Sequence, residues 1–267
     1  MHPFLVEIGR FRLPSYGAVS LLALAVAVLL IRRYARIEGL DPGKTAEAIV
    51  LTVAVGFLGA RLFELFINWD RYVGRPGGMK LLLFSTGVFL GGLVTAIPFC
   101  IYWFRHIGLP VLQGLDILAL TACVAEGVGR WGCFFSGCCW GKPTDLPWAV
   151  TFPALARRLH SGLPSVPIHP TQIYLSLNSL LILAMLVVLY RHKRFHGRII
   201  AVYVFAYSVT RFLIEFVRGD AERGSVFGGR LSTSQFLGIL LAAGAVAAYA
   251  FLDARHRRLR EPDWRPA

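Results

Sequence analysis

The residues best suited to chemistry lie in one short stretch, Gly129–Gly141, which reads GRWGCFFSGCCWG. It places Arg130 at the end of an apolar run, followed by Cys133, Cys138 and Cys139. An arginine in this position either extends its head group to the membrane interface or faces an anionic group. The glycines of this stretch allow backbones to approach closely or to adopt unusual dihedral angles. This composition predicts a functional site that the rest of the chain positions.

A second arginine, Arg211, lies inside a later apolar run that reads TRFLIEFVRG, together with Glu215 and Arg218. Placing a charged arginine within an apolar span costs free energy, so we interpret such a residue as functional. Guanidinium groups bind phosphate oxygens in a two-pronged geometry, so Arg130 and Arg211 are candidates to clamp a phosphate. Glu126 lies four residues before Arg130. It either neutralises Arg130 as a helical ion pair or stands as a carboxylate beside the phosphate site.

A third motif, IHPTQIY, contains His169, Gln172 and Tyr174. The simplest interpretation of His169 is a loop or capping residue, because Pro170 suits the first position of a helix. Gln172 and Tyr174 then point into the membrane interface. Tyr174 alone would be an ordinary aromatic-belt residue.

Two further positions carry weaker signals. Arg61 lies deep in an apolar run, three residues before Glu64, and it either forms an internal ion pair or helps to hold substrate. Tyr16 begins the first apolar run and has the character of an interfacial aromatic residue. The segment TGVFLGGL at 86–93 indicates close helix packing through small residues.

The composition is that of an integral membrane protein. Of the 267 residues, 56% are hydrophobic and only 16% are charged, whereas soluble domains are nearer about 45–50% and 25%. The formal net charge is +13. Since the basic residues lie between apolar runs, they favour membrane topology and anionic lipid, and we expect no nucleic-acid partner.

Seven apolar runs approach the length of a membrane span, about 20 residues. They lie near 17–31, 47–68, 81–104, 111–128, 171–190, 199–217 and 234–252. We expect an all-α polytopic membrane protein with about seven transmembrane helices. It would form a single domain over 1–258, followed by a polar cytoplasmic tail at 259–267 that we expect to be disordered.

Basic clusters orient the chain. Arg32, Arg33 and Arg36 follow the first run and indicate a cytoplasmic anchor, which places the N-terminus outside. Seven spans then place the C-terminus inside, in agreement with basic clusters after the fifth and seventh runs. The long connection at about 142–170 falls on the outer side, where a loop of that length usually has a function or a small structure of its own.

The five cysteines show no zinc-type paired spacing, and their odd number excludes a complete disulfide framework. Two interpretations of the cysteines in 129–141 remain: a disulfide between Cys133 and one of the adjacent pair, or packing as small apolar residues. A nucleophilic role is less favoured, because Arg130 is the only neighbour that would clearly lower a thiol pKa. We expect no metal site.

Taken in order within a chain of seven apolar runs, GRWGCFFSGCCWG, IHPTQIY and RFLIEFVRG resemble the prolipoprotein diacylglyceryl transferase family. The resemblance runs from Tyr16 to the last apolar run. It implies transfer of a diacylglyceryl group from phosphatidylglycerol to the lipobox cysteine of prolipoprotein signal peptides, with release of glycerol phosphate and without a cofactor. It also implies residence in the lipid bilayer of the bacterial inner (plasma) membrane.

The family's two arginines match Arg130 and Arg211, its glutamate after the second arginine matches Glu215, and its first-span tyrosine matches Tyr16. We expect the catalytic residues to be Arg130, Arg211, His169 and Glu126. We expect the substrate-binding residues to be Tyr16, Arg61, Gly132, Gln172, Tyr174, Glu215 and Arg218.

The chain departs from the family signature at several positions. The family's two asparagines and glutamate in G-R-x-G-N-F-x-N-x-E appear here as Cys133, Ser136 and Cys138. Leu90 stands at the position of the family's third-span histidine, and Leu175 stands at the position of the family's glutamate after HPTQ-x-Y. These features resemble a branch with a GCF…GCC signature. They leave His169 and Glu126 as candidate bases, and they leave open a non-catalytic phospholipid-binding relative or a lipid transferase with another acceptor.

Overall fold

The computed structural model describes residues 4–8, 11–74, 77–83, 87–160, 162–219 and 224–260. In chain order the elements are β1 (Phe4–Ile8), β2 (Phe11–Pro14), α1 (Ser15–Ile37), α2 (Pro42–Ile67), α3 (Trp69–Tyr72), α4 (Gly78–Leu83), α5 (Phe89–His106), α6 (Val111–Ser136), α7 (Ala154–Leu159), α8 (Thr171–Arg191), α9 (Arg198–Glu215), β3 (Ser225–Val226), β4 (Leu231–Ser232) and α10 (Thr233–Arg260). The fold is mainly helical. The expectation of an all-α chain misses two short antiparallel hairpins, β1–β2 and β3–β4.

Within the described residues, five helices are long and apolar enough to cross a membrane: α1, α2, α6, α8 and α10. This is the helix content of a multi-pass membrane protein. The third and sixth predicted spans correspond to α5 and α9, each 18 residues long. The five helices bear out the membrane character, while the count of seven spans stays a prediction.

The third predicted run is not one continuous helix. Instead of spanning 81–104, the chain ends α4 at Leu83 and begins α5 at Phe89, and 84–86 lie outside the described residues. Gly87 has a φ of 71°, a left-handed conformation that cannot continue a helix. The Val88 amide donates a hydrogen bond to the Ala60 carbonyl of α2 at 2.9 Å, which fixes where α5 starts.

The chain forms two compact units, one of residues 28–118 and one of residues 1–27 with 119–267. In the first unit, α2 packs against α5, as the TGVFLGGL segment predicts. A Cβ added at Gly92 would lie 3.1 Å from the Gly56 carbonyl oxygen, so the two helix backbones pack closely at these glycines. A buried cluster that includes Ile49, Phe104 and Ile117 forms the core of this unit.

The second unit contains the C-terminal part of α6 together with α7, α8, α9 and α10. The predicted outer loop at 142–170 includes α7 and has a core of its own, centred on Phe152, Ala156, Leu163 and Ile168. In the predicted tail, residues 259 and 260 belong to α10, and 261–267 lie outside the described residues.

Candidate functional site

Glu126 joins three helices at one carboxylate. Its Oε1 accepts hydrogen bonds from Arg130 Nη2 at 2.6 Å and Nε at 3.2 Å, and from the Tyr207 hydroxyl of α9 at 2.9 Å. Its Oε2 accepts from the Ser179 hydroxyl of α8 at 3.1 Å. The predicted pair of Glu126 and Arg130 is therefore present. Because the carboxylate also binds α8 and α9, it fixes the direction of the Arg130 guanidinium.

Arg211 lies on α9 and forms an ion pair through Nη1 with Glu215, one turn later on the same helix. The Arg211 side chain is only 11% exposed. Its Nη2 is buried and has no hydrogen-bond partner among the described residues. A buried donor without a partner costs about 1–3 kcal/mol. An oxyanion next to Nη2 would remove that cost.

Tyr207 brings the two arginines into one electrostatic environment. It lies one turn before Arg211 on α9, and the charges of Glu126, Arg130 and Arg211 all act on its hydroxyl group. Arg218, just beyond the end of α9, is 6% exposed, and its charge acts on Glu215. The predicted set Arg130, Arg211, Glu126, Glu215 and Arg218 is thus a linked group with three positive and two negative charges.

The three sequence motifs meet through their backbones. The Gly141 amide donates to the His169 carbonyl at 3.1 Å, and the His169 amide donates to the Lys142 carbonyl at 3.0 Å. On the other side, Lys142 donates to the Val217 carbonyl at 2.8 Å, and Gly141 forms a bridge with Arg218. A Cβ at Gly141 would lie 2.5 Å from the His169 Cβ. Glycine is therefore required where the segments come together.

Thr171 and Gln172 hold the turn that carries the adjacent cysteines. The Thr171 hydroxyl donates to the Cys139 carbonyl and Gln172 Nε2 donates to the Cys138 carbonyl, each at 2.6 Å. Both Thr171 and Gln172 are fully buried. Gln172, expected to bind substrate, is thus placed to position the turn.

His169 and Tyr174 form a second, more exposed group. His169 Nδ1 lies 3.1 Å from the Tyr174 hydroxyl, which also accepts a hydrogen bond from Trp148 Nε1 at 2.7 Å. Trp148 belongs to the loop between α6 and α8. The Tyr174 hydroxyl therefore links that loop to the start of α8, in addition to the belt role expected of it.

Cys133, Cys138 and Cys139 converge at the end of α6. All three are half-buried free thiols, and their Sγ atoms lie within 4.8 Å of one another. The thiols of Cys133 and Cys138, aided by the positive charges of Arg218 and Arg130, hold the pKa of Cys139 well below its usual range. The thiols of Cys133 and Cys139 in turn raise the pKa of Cys138. The disulfide interpretation does not describe this structure, because all three thiols are free, whereas packing as small apolar residues stays a prediction.

The remaining predicted residues fall in two places. A Cβ at Gly132 would lie 3.3 Å from the Tyr16 Cα. The start of α1 therefore packs against the final turns of α6, at a glycine two residues after Arg130. Arg61 lies on α2 in the other unit. Its predicted pair with Glu64 is not formed among the described residues: the Glu64 carboxylate instead accepts from Asn68 at 3.2 Å and Tyr72 at 2.9 Å.

Sequence reasoning missed Tyr207 and Ser179, the partners that α9 and α8 supply to Glu126. Tyr207 could have been found, because it lies four residues before Arg211 and shares its helix face. Ser179 carries no such signal, since it is 53 residues from Glu126.

Comparison with known proteins places this sequence in a family. Residues 3–251 match the model of the prolipoprotein diacylglyceryl transferase family. A Clostridium tetani protein is 32% identical over 90% of this chain and 93% of its own length, and a Gloeobacter violaceus protein is 32% identical over 97% and 96%. A Pseudomonas paraeruginosa protein is 32% identical over 92% and 91%. All three relatives are called phosphatidylglycerol–prolipoprotein diacylglyceryl transferases.

Proposed function

This chain belongs to the prolipoprotein diacylglyceryl transferase family, and we propose that it transfers a diacylglyceryl group from phosphatidylglycerol to the lipobox cysteine of prolipoproteins. Glycerol phosphate is the second product. The relatives match over nearly the whole chain, so the comparison supports the complete reaction.

The observation that carries the proposal is the Nη2 of Arg211, which is buried and has no hydrogen-bond partner in the part of the chain that the structure describes. Arg211 and Arg130 each use part of their guanidinium group on a carboxylate one turn away. Those carboxylates offset the cost of burial. The donors that remain suit the tetrahedral oxygens of a phosphodiester, which is the polar centre of a phosphatidylglycerol molecule.

In the reaction, the thiolate of the lipobox cysteine forms a C–S bond to the glyceryl carbon that bears the phosphate ester. The C–O bond to that phosphate breaks, and its electron pair leaves with glycerol phosphate. Negative charge therefore develops on the departing phosphate oxygen. Arg130 and Arg211 stabilise this charge with donors already held in place, the effect that usually contributes most to catalysis.

The acceptor thiol must lose its proton, because the thiolate is the nucleophile. Of the two candidate bases, Glu126 already accepts hydrogen bonds from Arg130, Tyr207 and Ser179. His169 uses Nδ1 toward Tyr174, and its Nε2 makes no hydrogen bond within the described residues. We therefore assign proton removal to His169 and orientation of Arg130 to Glu126.

We further propose that the chain crosses the bacterial inner membrane seven times, with α5 and α9 as the third and sixth spans. The N-terminus then lies outside and the C-terminus in the cytoplasm. The loop that contains α7 then lies at the outer face, together with the arginine group formed by Arg130, Arg211 and Arg218. Basic clusters after the first, fifth and seventh runs support this orientation.

The cysteine-rich signature favours a second candidate, a relative that binds phospholipid without transfer or modifies another acceptor. Leu175, at the position of a family glutamate, is fully buried and has no acid–base chemistry. The arginine group would bind a phosphodiester in either case. Formation of a thioether on a lipobox peptide separates the candidates, since only the transferase produces it.

The test of the phosphate clamp is Arg130→Lys and Arg211→Lys, assayed by transfer of labelled diacylglyceryl to a lipobox peptide. Lysine keeps the charge and loses the planar fork. We expect each variant to lower transfer at least about tenfold, equivalent to roughly 1.4 kcal/mol of barrier.

Arg257→Lys is the matched control, because it also alters an arginine paired four residues away, with Asp253 at 2.7 Å, but at a site that is 74% exposed. Its transfer should equal that of the parent. Full activity in both Arg130→Lys and Arg211→Lys would show that the clamp is wrong.

A further inference from the structure

The cluster of Cys133, Cys138 and Cys139 has the geometry of a metal site. The three Sγ atoms lie within 4.8 Å of one another, each on a half-buried side chain. Zn–S bonds of about 2.3 Å place the sulfurs of a tetrahedral site about 3.8 Å apart. Each Sγ–Sγ distance therefore needs to shorten by no more than about 1 Å, which side-chain rotation can supply.

The backbone holds these ligands in place. Gly137 ends α6 in the left-handed conformation, with a φ of 86°, and the Gly137 and Cys138 amides both donate to the Cys133 carbonyl. Cys139 also has a positive φ, 61°, which is uncommon outside glycine and costs on the order of 1 kcal/mol or more. Thr171 and Gln172 clamp the carbonyls of the cysteine pair. The sulfurs thus converge on a turn that is fixed from behind.

We propose that Cys133, Cys138 and Cys139 bind a single soft d10 cation, Zn²⁺ or Cu⁺, that fastens the end of α6. Thiolates select these ions over hard cations such as Mg²⁺ and Ca²⁺. Three sulfurs complete a trigonal Cu⁺ site, and a tetrahedral Zn²⁺ adds one water. Three thiolates with Zn²⁺ carry one net negative charge, which the nearby Arg218 and Arg130 offset.

Spacing alone did not indicate this site, because C-x₄-C-C differs from the paired C-x₂-C pattern of common zinc sites. The ion would be structural and take no part in bond breaking. It would hold Cys133 three residues from Arg130, and Cys139 on the turn that pairs with the end of α9 through Gly141 and Arg218. The proposal therefore stands independently of which acceptor the protein modifies.

The experiment measures metal in the full-length protein purified in detergent, first as isolated and then after titration with Zn²⁺ alone and with Cu⁺ alone under reducing conditions. We expect one ion per chain, with X-ray absorption showing three sulfur ligands, about 2.3 Å from the ion in the Zn²⁺ form. Cys138→Ser should weaken binding at least about tenfold, because loss of a direct ligand exceeds the effect of an outer-shell change.

Cys123→Ala is the control, since Cys123 lies on the same helix α6 but outside the cluster, and it should bind like the parent. Alkylation and mass spectrometry of the parent protein give a readout that needs no variant: bound metal should protect all three cluster thiols together. The proposal fails if neither ion binds stoichiometrically, if the X-ray spectrum lacks sulfur neighbours, or if two of the three cysteines are found as a disulfide.

Discussion

At the residue scale, Arg130 and Arg211 tolerate burial because each has a carboxylate one turn away on its own helix. Both pairs could be predicted, since side chains four residues apart meet on a helix whatever the tertiary fold. The same rule suggested a pair of Arg61 and Glu64 at a spacing of three. In the structure the Glu64 carboxylate instead accepts hydrogen bonds from Asn68 and Tyr72, two donors that compete with Arg61 for it.

Contacts between distant residues could not be predicted in this way. The Tyr207 and Ser179 hydroxyls that reach Glu126 come from 81 and 53 residues away. The three sulfurs converge only because Gly137 and Cys139 turn the chain at the end of α6. A single sequence gives residue types and local spacing, whereas these contacts depend on how the helices pack.

Tyr207→Phe tests whether Glu126 positions Arg130. The change removes the hydroxyl that donates to Glu126 Oε1 at 2.9 Å and leaves the ring in place. A lost hydrogen bond to a charged group costs about 1.5–3 kcal/mol, so we expect transfer to fall about tenfold or more. The measurement is the initial rate of peptide modification at matched protein levels.

Tyr203→Phe is the control for that variant. Tyr203 stacks on Tyr207 with ring centroids 5.8 Å apart, and its hydroxyl makes no hydrogen bond within the described residues. It should keep the parent rate. An equal loss in both variants would mean that the effect does not come from the hydrogen bond between Tyr207 and Glu126.

At the element scale, apolar length predicted where helices occur better than where they end. The run at 111–128 belongs to α6, which continues to Ser136 through much of the glycine- and cysteine-rich stretch. The run at 81–104 is divided by Gly87 in a left-handed conformation. Hydropathy reports burial in an apolar environment but not the dihedral angle of one glycine, which explains both differences.

The junction of the three motifs is the element on which the site most depends. Gly141→Ala would place a Cβ 2.5 Å from the His169 Cβ and 2.6 Å from its carbonyl oxygen. Overpacking of this kind typically costs about 1–3 kcal/mol. We expect a lower thermal midpoint in detergent and a loss of transfer, measured on the same preparation.

Gly129→Ala provides the comparison, because a Cβ there meets no atom within 4 Å and alanine favours a helix. It should match or exceed the parent in stability. If Gly141→Ala is equally stable and active, the three motifs do not depend on this close approach.

At the scale of the whole molecule, the proposed orientation in the membrane rests on the basic clusters and on the proposed seven spans. A reporter that works only in the cytoplasm should be active when fused after Ala267. A reporter that works only outside the cytoplasm should be active when inserted after Asp145. The measurement is enzyme activity of a compartment-specific reporter in intact cells. External activity at Ala267 would place the arginine group on the wrong face of the membrane.

The whole-chain match to the family rests on motifs that are far apart in sequence and joined in space. Gly141, His169 and Val217 come from three motifs, and their segments share one backbone network. This explains why the ordered set of motifs identified the family even though the signature asparagines and glutamate are replaced by Cys133, Ser136 and Cys138. The contacts that define the junction are mostly made by backbone atoms, which tolerate such replacements.

The most direct test of the account is transfer by the purified protein in liposomes that contain phosphatidylglycerol labelled in its acyl chains. The acceptor is a lipobox peptide, compared with the same peptide carrying serine in place of the cysteine. We predict a thioether-linked diacylglyceryl group on the cysteine peptide alone, with one glycerol phosphate released for each peptide modified. Correctly inserted protein that binds phosphatidylglycerol but yields neither product would contradict the assignment.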